Sequence, residues 1–304
     1  MSFAATDFEF KNRFWIIGAV IFLAFFCYDL DHTNIAFALT QKILGPTAQP
    51  DTPVFDRYQL AIVTIGSLFV YLAALLRSWA ESYLHSSIVH DAAIHSDQLV
   101  AEGPYRHVRN PLYLGNDLLA LGLGLLASRL GFVVMVVGMF IVTYRLILRE
   151  EAGLLATQGE SYRRYFNAVP RLWPSLRPRI PSGGAKPNWR DGFTGEIFMW
   201  SIAIGMTSFV VTQRIWMFWL VMGVGFAIYF LQAYLRKRPA SPGDRSQTRG
   251  CPSLDSCCQK RPFPAAHFAV SDLQCGSFSW HAWCGQTAGD LWRGLGIEMT
   301  GPKA

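Results

Sequence analysis

Residues 112–148 read LYLGNDLLALGLGLLASRLGFVVMVVGMFIVTYRLIL. Two apolar runs, Leu112 to Ser128 and Leu130 to Leu148, meet at a single cation, Arg129. A helix needs about 20 largely apolar residues to cross ~30 Å of hydrocarbon, so the pair predicts a helical hairpin turning near Arg129. The first run is the shorter and carries Gly115, Gly122 and Gly124, small residues that let membrane helices approach closely. It also holds Asn116 and Asp117. An ionisable group inside a span is a functional candidate by default. Asp117 lies only about two helical turns from the start of its run, where water can still reach, so a functional and a structural role stand level.

Outward from the hairpin the same pattern recurs at Phe14 to Leu30, Gln59 to Leu76, Phe193 to Thr212 and Ile215 to Leu235. The predicted fold class is therefore all-α: a polytopic membrane helical bundle of about six transmembrane helices. The composition agrees. Hydrophobic residues make up 51% of the 304, and charged residues 16%, against roughly 25% in an ordinary soluble domain; mean hydropathy is +0.23. The net charge of +6 is read as topology, because no basic helix or aromatic-interleaved basic patch points to nucleic acid. Lys11 and Arg13 before the first run, and Ala36-Phe37-Ala38 after it, imitate a secretory signal and its cleavage site. Asp29, Asp31 and His32 intervene and favour an uncleaved anchor.

Orientation follows from the loop cations. If the N-terminus is cytoplasmic, the inside segments hold Lys11, Arg13, Arg77, Arg106, Arg109, Arg149, Arg163, Arg164 and the Arg236-Lys237-Arg238 run among others. The outside loops hold only Lys42, Arg57, Arg129 and Arg214. Both termini and the 77–111 and 149–192 segments are thus expected on the cytoplasmic side.

Those two segments carry the chemistry. Gly103-Pro104 marks a turn. Asn110-Pro111 marks another, and proline suits the first turn of the helix that follows. Arg106, His107, Arg109 and Asn110 gather at the mouth of that helix, whose free N–H groups and positive dipole end make a seat for a carboxylate. Glu150-Glu151 falls where the hairpin's second helix leaves the membrane, so the hairpin returns it to the same face. A carboxylate there can accept from an amine or a ribose. One site with a cationic and an anionic end suits an amino-acid-bearing cofactor. Each part also has a plainer reading: juxtamembrane arginines as topology determinants, the Glu pair as a solvated helix end, Gly-Pro as a turn.

The order of the parts narrows this. Leu99-Val100-Ala101-Glu102-Gly103-Pro104-Tyr105, Arg109-Asn110-Pro111-Leu112-Tyr113, then the hairpin, Glu150-Glu151, Gly159-Glu160-Ser161-Tyr162-Arg163-Arg164-Tyr165 and Pro170-Arg171-Leu172-Trp173-Pro174 together resemble the isoprenylcysteine carboxyl methyltransferase and phospholipid methyltransferase families. The resemblance covers residues 77–178 closely and the first two helices in hydropathy. It implies an integral membrane methyltransferase using S-adenosylmethionine (SAM), with a lipophilic acceptor and no metal. It implies that Asp97, Gln98, Leu99, Val100, Tyr105, Arg109, Asn110, Pro111, Leu112, Tyr113, Glu150 and Glu151 bind the cofactor. His90 falls near a further cofactor position of the family by a loose alignment. Arg171, Tyr162 and Tyr165 are candidates for the catalytic end, positioning the acceptor, with packing of the linker as the equal alternative. The chain departs from the family where Asn110 replaces a histidine. Asn can donate and accept hydrogen bonds but cannot shuttle a proton.

The implied organisation is helices one and two in 1–76, a methyltransferase core in 77–178, helices five and six in 179–238, and a low-order tail in 239–304. The tail has no helical or strand period. Five of the six cysteines lie there, Cys251, Cys257, Cys258, Cys275 and Cys284, without paired metal-ligand spacing. It is read as disordered or as translated out of frame. Two rival readings of the whole remain: an NADPH-dependent membrane reductase of similar architecture, and a non-catalytic membrane scaffold or transporter.

Overall fold

A computed structural model describes residues 3–45, 49–50, 52–90 and 101–237. Asp97, Gln98, Leu99 and Val100, and the whole 239–304 tail with its cysteines, lie outside the described residues, as does the side chain of His90.

Among the described residues the regular structure is helical. The helices are α1 (Asp7–Lys11), α2 (Arg13–Phe26), α3 (Ile35–Leu44), α4 (Pro53–His90), α5 (Pro111–Gly124), α6 (Arg129–Ala168), α7 (Trp189–Gly195), α8 (Ile197–Thr212) and α9 (Ile215–Lys237). Three are long and apolar enough to cross a bilayer: α4 over Pro53–Leu84, α6, and α9 over Ile215–Gln232. A fourth span exists if α7 and α8, bent by 67° across their break, act as one. The protein is therefore an all-helical integral membrane protein with three to four candidate spans. Two of the six runs read from sequence form shorter helices. α2 and α5 have 14 residues each, about 21 Å at 1.5 Å per residue. α2 stops where the chain tightens into a 3-10 turn at Cys27–Asp29, as the aspartates arrive. α5 stops at Gly124, ahead of the turn that leads into α6.

The hairpin read from residues 112–148 forms as α5 and α6. Pro111 opens α5, where its missing N–H is harmless. Ser128 caps α6, accepting from Gly131 N at 3.0 Å. The hairpin turn is pinned by Asn34, whose amide donates to the Leu126 carbonyl at 3.0 Å, and by Arg129 paired with Asp31 at 2.9 Å.

The glycines of α5 do what small residues do between membrane helices. A Cβ on Gly66 of α4 would stand 2.8 Å from the Gly122 carbonyl, and one on Gly124 would stand 3.0 Å from the Phe132 ring of α6. The crossing is closed by a core of small and sulfur-bearing side chains, among them Ala24, Val70, Ala73, Ala120, Met135, Met139, Ala203 and Met206. Outward-facing Phe22, Val211 and Trp219 are 72%, 76% and 65% exposed, an apolar exterior suited to lipid. α6 outruns the hydrocarbon. Gly159, at φ +56°, breaks it, and the piece beyond carries Tyr162 and Tyr165.

Candidate functional site

The site lies at the end of the bundle where α5 begins. The loop 101–110 enters it through Gly103, whose φ of +56° is left-handed backbone and whose absent Cβ leaves room for the Tyr83 ring. A 3-10 turn, Gly103–Arg106, follows. The exit segment 169–184 runs alongside this loop in the opposite direction and straps it down. Arg109 N donates to Pro170 O at 2.9 Å, Ser175 N to His107 O at 2.9 Å and Arg179 N to Arg106 O at 2.9 Å. Side chains reinforce the pairing. His107 Nδ1 lies 2.7 Å from Ser175 O, and Arg106 Nε donates to Ile180 O at 3.0 Å. Buried Glu102 accepts from Ser182 Oγ at 2.9 Å, Gly184 N at 3.0 Å and Gly183 N.

At the centre stands Glu151, 3% exposed. Its Oε1 accepts from Arg109 Nε at 2.9 Å and Asn110 Nδ2 at 3.1 Å. Its Oε2 accepts from Arg171 Nε at 2.9 Å, with Arg171 Nη2 at 2.8 Å. Arg109 also donates to the carbonyls of Val169, at 2.7 Å, and Phe166, and lies 4.0 Å over the Phe166 ring. Arg171 reaches the Tyr144 hydroxyl at 2.9 Å. Asn110 donates also to Arg171 O at 3.2 Å. Four residues named from sequence, Arg109, Asn110, Glu151 and Arg171, thus form one ion-pair hub. Burial of an ion pair is tolerable when the remaining lone pairs and N–H groups are matched; here each Glu151 oxygen is met twice and Arg109 Nη1 reaches two carbonyls.

Glu150 faces the other way. Its carboxyl meets the Tyr113 hydroxyl across the hairpin, with Arg13 as its nearby cation. The Asn110 side chain, which occupies the capping position of α5, makes no cap hydrogen bond and is turned to Glu151. The Leu112 carbonyl accepts from Arg77 Nη1 at 3.1 Å. Tyr105 is buried, and burial holds its hydroxyl well above the ordinary phenol range, so it remains a neutral donor. Its carbonyl accepts from Tyr165 Oη at 2.9 Å. Tyr162 and Tyr165 share a separate buried cluster with Val169, packed by Ala101, Leu154 and Phe166. That surrounding is one of packing, and it holds the exit segment against the loop.

Several side chains of the site were not singled out from sequence as site residues. Arg77 of α4 makes a two-pronged pair with Glu196, both contacts at 2.8 Å, and also reaches Asn116 at 2.9 Å. It ties α4 to the α5 mouth and to the α7–α8 bend. Glu196 itself sits at that bend. The available signal was one charge at the end of each of two apolar runs, a cation and an anion that could neutralise each other. Residues 5–9 were missed as well. Ala5 N donates to Arg145 O at 3.0 Å, Glu9 pairs with Arg145 at 2.7 Å and Asp7 pairs with Arg149. The N-terminal segment is thereby clasped to α6 beside the site. Among the described residues no group of His, Cys, Asp and Glu is placed to hold a metal ion.

These features define a class: an integral membrane protein with a charged, loop-strapped site at the mouth of a helical hairpin. Residues 61–158 match the phospholipid methyltransferase family, in line with the motif resemblance. The match spans nearly all of the Gln59–Leu76 apolar run of α4, the loop, the hairpin and Glu150-Glu151. Two curated relatives are similar. A cobalt-zinc-cadmium resistance protein of Cupriavidus metallidurans is 30% identical over 142 residues, 47% of this chain and 61% of the relative. A nickel-cobalt-cadmium resistance protein of Alcaligenes xylosoxydans xylosoxydans is 27% identical over 142 residues, 47% of this chain and 62% of the relative. The chain thus spans about three-fifths of the length of these relatives. No solved structure matches.

Proposed function

We propose that this protein is a membrane methyltransferase that uses SAM and methylates a lipophilic acceptor, an isoprenylcysteine-type carboxylate or a phospholipid amine. The observation that carries the reading is a division of labour at the hairpin mouth. Glu151 is neutralised by Arg109 and Arg171, while Glu150 meets the Tyr113 hydroxyl in the first turn of α5, where Asn110 makes no cap hydrogen bond. An amino-acid-bearing cofactor fits those two ends: its carboxylate against the helix N–H groups and its amine or ribose against Glu150. When bound, SAM supplies an already activated methyl group. What is asked of the chain is alignment and exclusion of water. Tyr105, Asn110, Pro111, Leu112 and Tyr113 line the cofactor end in this reading, with Asp97–Val100 completing it. Arg109, Glu151 and Arg171 hold the loop in shape around it, and Tyr162 and Tyr165 back that loop.

Asn110 suits this role. Its amide donates to Glu151 and to the Arg171 carbonyl, work that needs no proton shuttle. In the same reading α2 and α5 join the longer helices to give six membrane-embedded helices. The core of 77–178 faces the cytoplasm, where the loop cations concentrate, and the acceptor enters from the lipid.

The test is calorimetric binding of S-adenosylhomocysteine to the purified full chain. Glu150→Gln and Tyr113→Phe should weaken binding about tenfold or more, as loss of a hydrogen bond to a charged group does. Glu160→Gln should leave it unchanged, because Glu160 is exposed and pairs with Arg163 one turn away. Equal affinity in all three variants refutes the cofactor site, and binding of NADPH in place of the methyl-donor product favours a reductase.

A further inference from the structure

One ionisable side chain of the hairpin has no part in the hub or at the cofactor end. Asp117 lies on α5 four residues beyond Tyr113, on the same helix face and about 6 Å deeper along the axis. Across the seam its Oδ1 accepts from Thr143 Oγ1 at 2.9 Å. Thr143 is wholly buried. It precedes Glu150 by seven residues, two turns on the same face of α6. The Tyr113–Glu150 and Asp117–Thr143 contacts are therefore successive rungs of one polar seam that runs inward from the cofactor end.

The charge inventory sets Asp117 apart. At this end of the bundle Glu151 meets Arg109 and Arg171, Glu196 meets Arg77, Glu9 meets Arg145 and Asp7 meets Arg149. Among the described residues no Lys, Arg or His pairs with Asp117, and its Oδ2 accepts from none. Asp117 is half-buried, so its carboxyl is not sealed in. A half-buried carboxylate between apolar helices is unfavourable until a donor reaches it.

We infer that Asp117, held by Thr143, is the specificity-determining residue at the acceptor end: it admits a lipophilic molecule whose head donates a hydrogen bond, an amine or a hydroxyl, and it turns away a carboxylate. The donor head completes the shell of Oδ2. A carboxylate head sets two acceptors of like charge together in a low-dielectric seam, and such juxtapositions are strongly disfavoured. This rests on the methyltransferase reading and selects among its acceptors. An Asp–Thr contact that serves only as interhelical adhesion would affect stability and leave head-group preference alone.

The experiment uses the full chain in lipid nanodiscs, with empty discs as the reference. Binding of octylamine, octanol and octanoate is measured by calorimetry for the wild type, Asp117→Asn and Thr143→Val, with S-adenosylhomocysteine titrated in parallel as the readout of a folded cofactor end. The wild type should bind octylamine or octanol at least about tenfold tighter than octanoate, the amine and hydroxyl arms showing which donor is taken. Asp117→Asn should bring that ratio below about threefold with S-adenosylhomocysteine binding unchanged, and Thr143→Val should shift it in the same direction. A wild type that prefers octanoate, or an Asp117→Asn protein with the wild-type preference, overturns the inference. If the preference depends on Asp117 but S-adenosylhomocysteine does not bind the wild type, the methyltransferase reading fails and the Asp117 subsite stands.

Discussion

Glu151→Gln keeps the side chain's shape and removes one charge from the hub. Breaking a buried ion pair from one side costs about 3–5 kcal/mol, because the other charge is left unmatched. Here two cations lose their anion, but neither is abandoned. Arg109, whose side chain is 7% exposed, retains the carbonyls of Phe166 and Val169 and the face of the Phe166 ring. Arg171, at 27% exposure, retains Tyr144 and can hydrate. The substituted amide still offers one acceptor oxygen. The loss of stability should therefore sit at the low end, about 3 kcal/mol. Arg171→Met should cost less, about 1–2 kcal/mol, because Glu151 then keeps Arg109 and Asn110. The pair should couple in a double-mutant cycle. Reversible denaturation in mixed micelles, followed by tryptophan fluorescence, measures all three variants. A Glu151→Gln loss under about 0.5 kcal/mol, or an Arg171→Met loss larger than that of Glu151→Gln, refutes the assignment of Glu151 as the hub. Glu150→Gln supplies the contrast: it should weaken S-adenosylhomocysteine binding with little loss of stability.

Gly103→Ala should destabilise the loop by about 1–3 kcal/mol, since a left-handed residue gains a Cβ that meets the Tyr83 ring, with its Cζ at 3.0 Å; a thermal melt within a degree of wild type refutes this. The N-terminal clasp should loosen in acid. The hydrogen bond from Arg145 lowers the Glu9 carboxyl from 4.5 to about 2. A depressed folded value means that the stabilisation is complete above the unfolded value of 4.5 and disappears as pH falls from there toward 2. The protection of the amides of residues 7–11, taken relative to the unstructured chain at each pH, should fall over that window in the wild type and be already low and flat in Glu9→Gln; a pH-independent wild-type protection contradicts the pairing.

The hairpin was legible because two apolar runs with one arginine between them admit few arrangements, and the site because its turns and charges fall in order on both sides of that hairpin. What was not legible depended on partners far along the chain. The length of Phe193 to Thr212 fits a single span, yet the helix breaks at Glu196, where that carboxylate turns to Arg77, 119 residues earlier. Hydropathy counts such a run as continuous because it sees composition and not the distant partner that the carboxylate at the break meets. Tyr162 and Tyr165 stand at motif positions equally compatible with acceptor contact and with packing. Burial of both rings beside Val169 is a tertiary fact that no local pattern contains.

The two adjacent glutamates show how helix geometry separates roles that a motif writes together. Successive residues on an α-helix point about 100° apart. If Glu151 faces the strapped loop, Glu150 must face elsewhere, and the direction left to it is the Tyr113 side of α5. Glu151 meets two guanidiniums and an amide and is stabilised as part of the scaffold. Were Glu150 matched as fully, the site would have no anionic end for a cofactor; were Glu151 as open, two carboxylates side by side would repel and the arginines would be unpaired. Asp117, one turn deeper than Tyr113, continues the less-matched side of this division into the membrane. The order of decreasing compensation, Glu151 then Glu150 then Asp117, runs from the strapped loop inward along the hairpin seam. A chain that needed only stability would have neutralised or omitted the last two carboxylates. Their placement along one seam is the physical reason for proposing the seam, rather than the hub, as the place where a cofactor and an acceptor would meet.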